Sequence, residues 1–350
     1  MEATEPRGPP TEGVGVPMSV KLGNSGILPG VGAPLGSAGS AGPRMIPVGG
    51  GKGGVGKTFL VANLGATLAR MGYQVVAVDG DLEAANLHTC VGVPRPGASL
   101  ADFVAHREED LGKLLLDSPI PNLRIIAATR GNLATPQPGH ARRVQLMREL
   151  RRMPAEFVLI DLGAGTHPAV MDYFMVCDGG IVVIAPEPTS VENAYSFIRA
   201  AFYRRLRLAM VSHDVRRVVT LAMDERNERG IRTPFDLLRE IQAIDSTEGR
   251  HFVETMRAFR PRIVINEVRT ADDIKLGFSV RSVCHKYFGI EAEYVGYVNH
   301  DEHARRSVRG RRPLVEVAPR SDAAIYITRV ARKLESTAFG AERPARQETA

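Results

Sequence analysis

The sequence is short of cysteine and of long apolar runs, and both shortages narrow its chemistry. Cys90, Cys177 and Cys284 are its three cysteines, and they stand far apart. They form no C-x-x-C pair, so neither a zinc site nor a disulfide framework is suggested. His300 and His303 fit no zinc spacing either. No run approaches the ~18 apolar residues of a membrane-spanning helix. The N-terminus lacks a basic stretch followed by an apolar one, so the chain is expected to stay in the cytoplasm.

The rest of the composition is that of a globular protein, with 44% hydrophobic and 24% charged residues. A chain of 350 residues can bury a sizeable core, as one large α/β domain or two smaller ones. The formal charge is +6, and arginines supply much of it in clusters: Arg142, Arg143, Arg151 and Arg152; Arg204, Arg205 and Arg207; Arg305, Arg306, Arg309, Arg311 and Arg312. Such clusters fit contacts with nucleic acid or anionic lipid, or plain solvated helix faces. Residues 1–43 are rich in Gly, Pro, Ala and Ser and read as a disordered leader. Residues 337–350 read as a disordered tail.

Residues 49–58, GGGKGGVGKT, follow the apolar run Met45-Ile46-Pro47-Val48 and match the phosphate-loop pattern G-x-x-x-x-G-K-[ST]. Glycines let the backbone turn tightly and present its N–H groups to phosphate oxygens. A helix starting at Lys57 would aim its positive end at the same oxygens. Residues 59–70 are apolar at helical spacing and Gly72 ends them. Lys57 is the residue to reach the β- and γ-phosphates, and the Thr58 hydroxyl the one to hold Mg²⁺. The expected cradle is Gly51, Lys52, Gly53, Gly54, Val55, Gly56, Lys57, Thr58 and Phe59.

From residue 44 onward strands and helices alternate, which argues for a mostly parallel sheet with helices on both faces. The apolar run 74–78 fits a buried parallel strand, and Asp79 and Asp81 follow it at the ligand edge of such a sheet. Phe157-Val158-Leu159-Ile160-Asp161 is a second apolar strand ending in a carboxylate, followed by Leu162-Gly163-Ala164-Gly165. Residues 180–185 form another, after which Thr189 and Glu192 have capping-box spacing. Residues 205–260 carry helical periodicity with little strand signal, and Thr233-Pro234 reads as an N-cap with proline at the first helical position.

With Lys52 inside the loop, K-G-G-V-G-K-T resembles the deviant Walker A motif of the MinD/ParA family of ATPases. The resemblance spans about residues 44–336, with 205–260 as a helical insertion, and is nearest to the MinD/FlhG branch. It implies a three-layer P-loop NTPase fold, ATP and Mg²⁺ as cofactors, and slow, regulatory ATP hydrolysis. It implies an ATP-dependent homodimer in which Lys52 reaches the partner's nucleotide. Asp79, by the same resemblance, lies near Mg²⁺, Asp81 orients the attacking water and Asn86 supports this first switch. Asp161 resembles the Walker B aspartate at the Mg²⁺ water shell, and Gly165 the second-switch glycine whose N–H senses the γ-phosphate. Lys52, Lys57 and Asp81 are thus the expected catalytic residues, and Thr58, Asp79 and Asp161 the metal-holding ones. Asn266 resembles the asparagine whose amide reads adenine, with Arg269, Val298 and Asn299 along the expected loop over the base at 296–301. Glu187 falls where the family often has P-E near the dimer face.

The implied function is positioning or counting a cellular structure such as a flagellum, division site or pole, through a protein partner that stimulates hydrolysis or serves as cargo. A nucleoid-binding ParA-type partitioning ATPase and a metabolic relative are the alternatives. The leader lacks the D-Q-A-x-x-L-R segment of typical FlhG proteins, and the tail lacks an amphipathic membrane-binding helix, which gives membrane contact little support.

Overall fold

The computed structural model describes residues 42–128, 138–177, 179–223, 230–231 and 233–339. The expected leader lies outside these residues apart from Gly42 and Pro43, as do residues 340–350 of the expected tail.

Strand β1 (Arg44–Gly49) feeds the glycine loop, and α1 (Lys57–Arg70) begins at the motif lysine. Gly72 follows with a left-handed backbone, ending the helix where expected. Next come β2 (Val75–Asp79), the short α2 (Leu87–Cys90) and α3 (Leu100–Val104), and a 3₁₀ turn at Leu111–Leu114. Strands β3 (Leu116–Asp117) and β4 (Leu123–Ile126) precede α4 (His140–Leu150). Strand β5 (Phe157–Asp161) is followed by α5 (Pro168–Phe174), then β6 (Ile181–Ile184) and the long α6 (Pro188–Ala209). Helices α7 (His213–Met223), α8 (Pro234–Ile244) and α9 (Ser246–Ala258) lead to β7 (Arg262–Val268). Helix α10 (Ala271–Val283) runs on into a π-helical turn at Cys284–Phe288. Strand β8 (Glu293–Asn299), α11 (Glu302–Arg309), α12 (Leu314–Val317) and α13 (Asp322–Phe339) complete the described chain. No described helix is long and apolar enough to cross a membrane.

The strands form one eight-stranded sheet in the order β3-β4-β2-β5-β1-β6-β7-β8, parallel throughout except for the β3–β4 edge pair. Side chains alternate between its two faces. Ile46, Val48, Phe157 and Leu159 pack beneath α1 and α13, while Met45, Val158 and Ile160 face the core shared with α4, α5 and α6. Helices therefore cover both faces, as the near-continuous apolar strands require. Register pairs Val48 with Asp161 and Asp79 with Asp161, so the ends of three central strands open together at one edge. A doubly wound sheet binds its ligand at such an edge.

The described residues within 205–260 are mostly helical as expected, although α6 already reaches Ala209. Thr233 caps α8, its hydroxyl accepting from the Asp236 N–H at 3.1 Å while Asp236 accepts from the Thr233 N–H at 3.0 Å. Val215, Val219, Leu237, Ile241 and Phe252 are fully buried in the core of the β5–β6 face. The helices are thus built into the sheet's own core.

Four features differ from expectation. Helix α6 starts two residues early, with Glu187 as N-cap and Pro188 at its first position, so Thr189 caps nothing. Residues 337–339 continue α13. The expected loop at 296–301 is strand as far as Asn299, and the Val298 side chain is buried in the core beneath α13. The arginine clusters at 142–143 and 204–205 are internal ties rather than solvated faces. Arg142 lies 3.6 Å above the Phe103 ring and bonds the Phe103 carbonyl, while Arg143 and Arg204 converge on the buried Asp172 carboxylate. Sequence spacing is blind to Asp172 because it lies on a different helix.

Truncating Phe252 tests whether α9 belongs to the sheet's core. Phe252→Ala is expected to lower stability by about 3–5 kcal/mol in a single urea transition. Two separated transitions, one leaving the sheet intact, would make the helices an independent unit.

Candidate functional site

The loop between β1 and α1 is shaped by contacts that leave no room for side chains. A Cβ on Gly51 would lie 2.0 Å from the Asn193 carbonyl oxygen of α6. Gly56 has φ of +92° and would press a Cβ to 2.2 Å from the Asn266 amide nitrogen. Val55 is buried and anchors the loop from below, and its carbonyl accepts a 2.9 Å hydrogen bond from the Asn266 side chain. Gly53 and Gly54 are exposed at the loop's outer turn, and Phe59 packs half-buried against the core below. The loop leads directly into the N-terminal end of α1, whose first backbone N–H groups lack helical partners, the physical requirement for binding an anion.

The charged side chains divide around it. Lys57 is buried, its Nζ 3.3 Å from the Lys52 carbonyl. Burial lowers its pKa, and the carboxylates of Asp161 and Asp81 oppose that shift. Asp79 and Asp161 are buried beside each other on adjacent strands. Burial, then Asp161, hold the Asp79 carboxyl well above the usual range, although it accepts from the backbone N–H groups of Leu87 (3.1 Å) and Asp81 (3.2 Å). Burial pushes Asp161 up to about 7 against the Thr58 hydroxyl and Lys57, which favour its charged form. Asp81 is half-buried over Gly163, and its carboxylate accepts from the N–H groups of Glu83 and Ala84.

The residues fit a divalent cation. Asp161 Oδ1 is buried with no hydrogen-bond partner, and two neighbouring buried carboxylates repel one another until a cation or a proton arrives. No described group of three or more His, Cys, Asp or Glu could hold the ion alone. Such a site suits Mg²⁺, which takes one or two carboxylates together with phosphate oxygens and water.

Other expected residues sit at the rim. Lys52 Nζ lies 2.6 Å from the Glu187 carboxylate and 3.1 Å from the Thr189 hydroxyl, both at the start of α6. The Gly165 N–H donates to the Gly50 carbonyl at 3.2 Å, closing the second switch onto the glycine loop. Asn266 meets the loop backbone, while Arg269 is exposed, its guanidinium 3.1 Å from His300 Nδ1. Asn299 ends β8 beside Val268. Thr189 and Asn193 were invisible as site residues in the sequence, since each acts through one contact with a residue about 140 positions away.

Residues 46–314 match the family profile described as the CobQ/CobB/MinD/ParA nucleotide binding domain. The chain belongs to this family. It is 28% identical over 298 residues to the antiactivator FleN of Pseudomonas aeruginosa, covering 84% of this chain and 86% of FleN. It is 33% identical over 152 residues to the septum site-determining protein MinD of Synechocystis, a match covering 43% of this chain and 56% of that one. Among solved structures, MinD of Pyrococcus horikoshii complexed with Mg-ADP superposes with a TM-score of 0.56 at 19% identity, covering 85% of this chain and 97% of the other. The fold is therefore that of MinD/ParA-type P-loop ATPases.

Raised carboxylate pKa values carry a stability signature. Asp161 binds its proton more tightly folded than unfolded, so the native state holds more protons between about pH 4 and pH 7 and ligand-free stability falls as pH rises through that window. Asp161→Asn is expected to stabilise the ligand-free protein at pH 7.5 by more than about 1 kcal/mol, and by less at pH 5. Denaturant unfolding at the two pH values checks this; equal effects at both would place the Asp161 pKa in the ordinary carboxylate range.

Proposed function

We propose that the chain is a dimer-switch ATPase that binds ATP with Mg²⁺, closes into a homodimer, and hydrolyses ATP slowly to release a protein partner. The observation that carries this reading is Lys52, a second lysine within the phosphate loop, half-exposed at the rim and paired there with Glu187. In this reading Lys57 and the loop N–H groups hold the phosphates, and Thr58, Asp79 and Asp161 hold Mg²⁺ or its water shell. Mg²⁺ would neutralise charge on the transferring phosphoryl group. Asp81 positions the attacking water. Asn266 and Arg269 stand toward the base, with Asn299 and the backbone of Val298, whose side chain is buried, beyond them.

Lys52 is tied within its own chain to Glu187 and Thr189. Half-exposed ion pairs of this kind are worth little, so the lysine can exchange Glu187 for a partner's phosphate at small cost. The partner's charge then acts like an arginine finger supplied in trans. The relationship to FleN supports a regulatory partner, an activator that the ATP-bound dimer restrains, and hence control of the position or number of a cellular structure. The expected domain organisation, a leader at 1–43 and an ATPase core at 44–336, remains part of this proposal.

One observation favours the ParA-type alternative. Arg305, Arg306 and Arg309 are exposed on α11 and make no ion pair with a described carboxylate, an arrangement suited to phosphodiester contacts. An ATP-dependent pull-down run beside DNA and liposome co-sedimentation separates the readings. Capture of a protein partner only with ATP supports the first, and steeply salt-sensitive DNA binding the second. ATP-dependent liposome binding lost on deleting residues 337–350 would overturn the expectation that the tail gives membrane contact little support.

Three variants test the residue roles. Lys57→Ala is expected to abolish ATP binding by calorimetry, through loss of a charge-assisted contact. Lys52→Ala should bind ATP yet stay monomeric on size exclusion and lose most turnover. Asp81→Ala should accumulate as an ATP-bound dimer with little phosphate release. Normal turnover by Lys52→Ala would reduce that residue to a loop lysine, and loss of ATP binding in Asp81→Ala would move Asp81 to the metal.

A further inference from the structure

Behind the first switch lies a cavity that the nucleotide site does not use. It has a volume of about 320 Å³, within the range of small-ligand sites. One wall is the end of α2 and the turn after it, Thr89 to Pro94; the opposite wall is Arg311 to Glu316, with Pro119 and Ile120 between them. Val91 and Ile120 make the interior apolar and are buried. Arg311 and Arg312 stand at the mouth, exposed, and neither pairs with a described carboxylate. The carboxylate in the wall, Glu316, sits 3.6 Å from Arg70.

Two further observations describe the mouth. Arg311 has φ of +54°, a left-handed backbone that a non-glycine residue adopts only when its surroundings enforce it. The C-terminus of α11 enforces it: the Arg311 N–H donates to the Val308 carbonyl and the Arg312 N–H to the Ser307 carbonyl, the pattern of a left-handed helix cap. A Cβ on Gly92 would lie 3.2 Å from the Arg311 carbonyl, so the two walls meet backbone to backbone. The site therefore joins an apolar interior to two guanidiniums that no described carboxylate neutralises.

We propose that this cavity binds a small organic anion, a carboxylate, sulfonate or phosphate carried on an apolar body, and that its occupancy is coupled to the nucleotide site. Guanidiniums recognise such heads bidentately while the interior buries the body. The coupling has a short physical route. Helix α2 forms the wall, and the N–H of its first residue, Leu87, donates to Asp79 Oδ2 at 3.1 Å. A ligand that fixes α2 fixes the hydrogen bonding of Asp79, and by linkage nucleotide binding must alter ligand affinity by the same factor. This second half rests on the function proposed above; the first does not.

Anilinonaphthalene sulfonate, an aromatic sulfonate whose fluorescence rises on apolar burial, serves as the probe on the full chain. Saturable binding to one site is expected without nucleotide. Val93→Trp, which fills the cavity from its half-exposed rim, should abolish it, and the pair R311G/R312Q should weaken it at least about tenfold. The pair R305Q/R306Q removes equal charge outside the cavity and should leave it unchanged. Mg-ADP should shift the dissociation constant by about threefold or more. Absence of saturable binding, or equal losses in both arginine pairs, would overturn the site; should Val93→Trp not fold, the arginine pairs decide. Site binding that Mg-ADP leaves unchanged would overturn the coupling alone, and calorimetry of ADP on the same sample shows whether the nucleotide bound at all.

Discussion

Two buried carboxylates side by side, facing one buried lysine, constrain everything else at the ligand edge of the sheet. Asp79 and Asp161 are where they are because β2 and β5 are neighbours in register, and both strands are apolar until their last residue. A sheet buried on both faces tolerates that charge only at its rim, where a loop of N–H groups and Lys57 complete the balance. The glycines of the loop follow from the same constraint: the backbone must come close enough to the strand ends to share the site, and side chains at Gly51 or Gly56 would hold it off. Stability is given up locally for a site that wants a cation and an anion together.

Much of this was legible in the sequence because its signals are local. A strand, a glycine turn and a helix in fixed order specify the cradle, and apolar runs ending in Asp79 and Asp161 specify the carboxylates. Thr233-Pro234 likewise marks a helix start through contacts three residues apart. What was not legible depends on tertiary partners. Thr189 looked like a cap by spacing, yet Pro188 already fixes the first helical position and its hydroxyl serves Lys52 instead. Arg142, Arg143, Arg204 and Arg205 looked like surface charge, but α4, α5 and α6 are brought together around Asp172 and the Phe103 ring. Periodicity cannot report which element a helix face will meet.

The buried arginines also bear on how the second switch is supported. Helix α5 begins just after Gly163–Gly165, and its Asp172 carboxylate is gripped by Arg143 from α4 and Arg204 from α6. Removing one partner from a buried pair leaves an uncompensated charge, so such a grip holds geometry even where it adds little net stability. The switch residues therefore sit between the glycine loop, met through the Gly165 N–H, and a helix held from two sides.

Helix α6 touches the glycine loop at one end and the α7–α9 helices at the other. Its 22 residues make a rod about 33 Å long. The near end cannot slide independently of the loop, because the Asn193 carbonyl occupies the space a Gly51 side chain would need. A rod held this way amplifies: tilting it by about 5° at the loop carries the far end through about 3 Å, enough to shift side chains between packing arrangements. In the proposed switch the helix would work as a pointer, turning a small adjustment at the loop into a larger displacement where α6 meets α7 and α9.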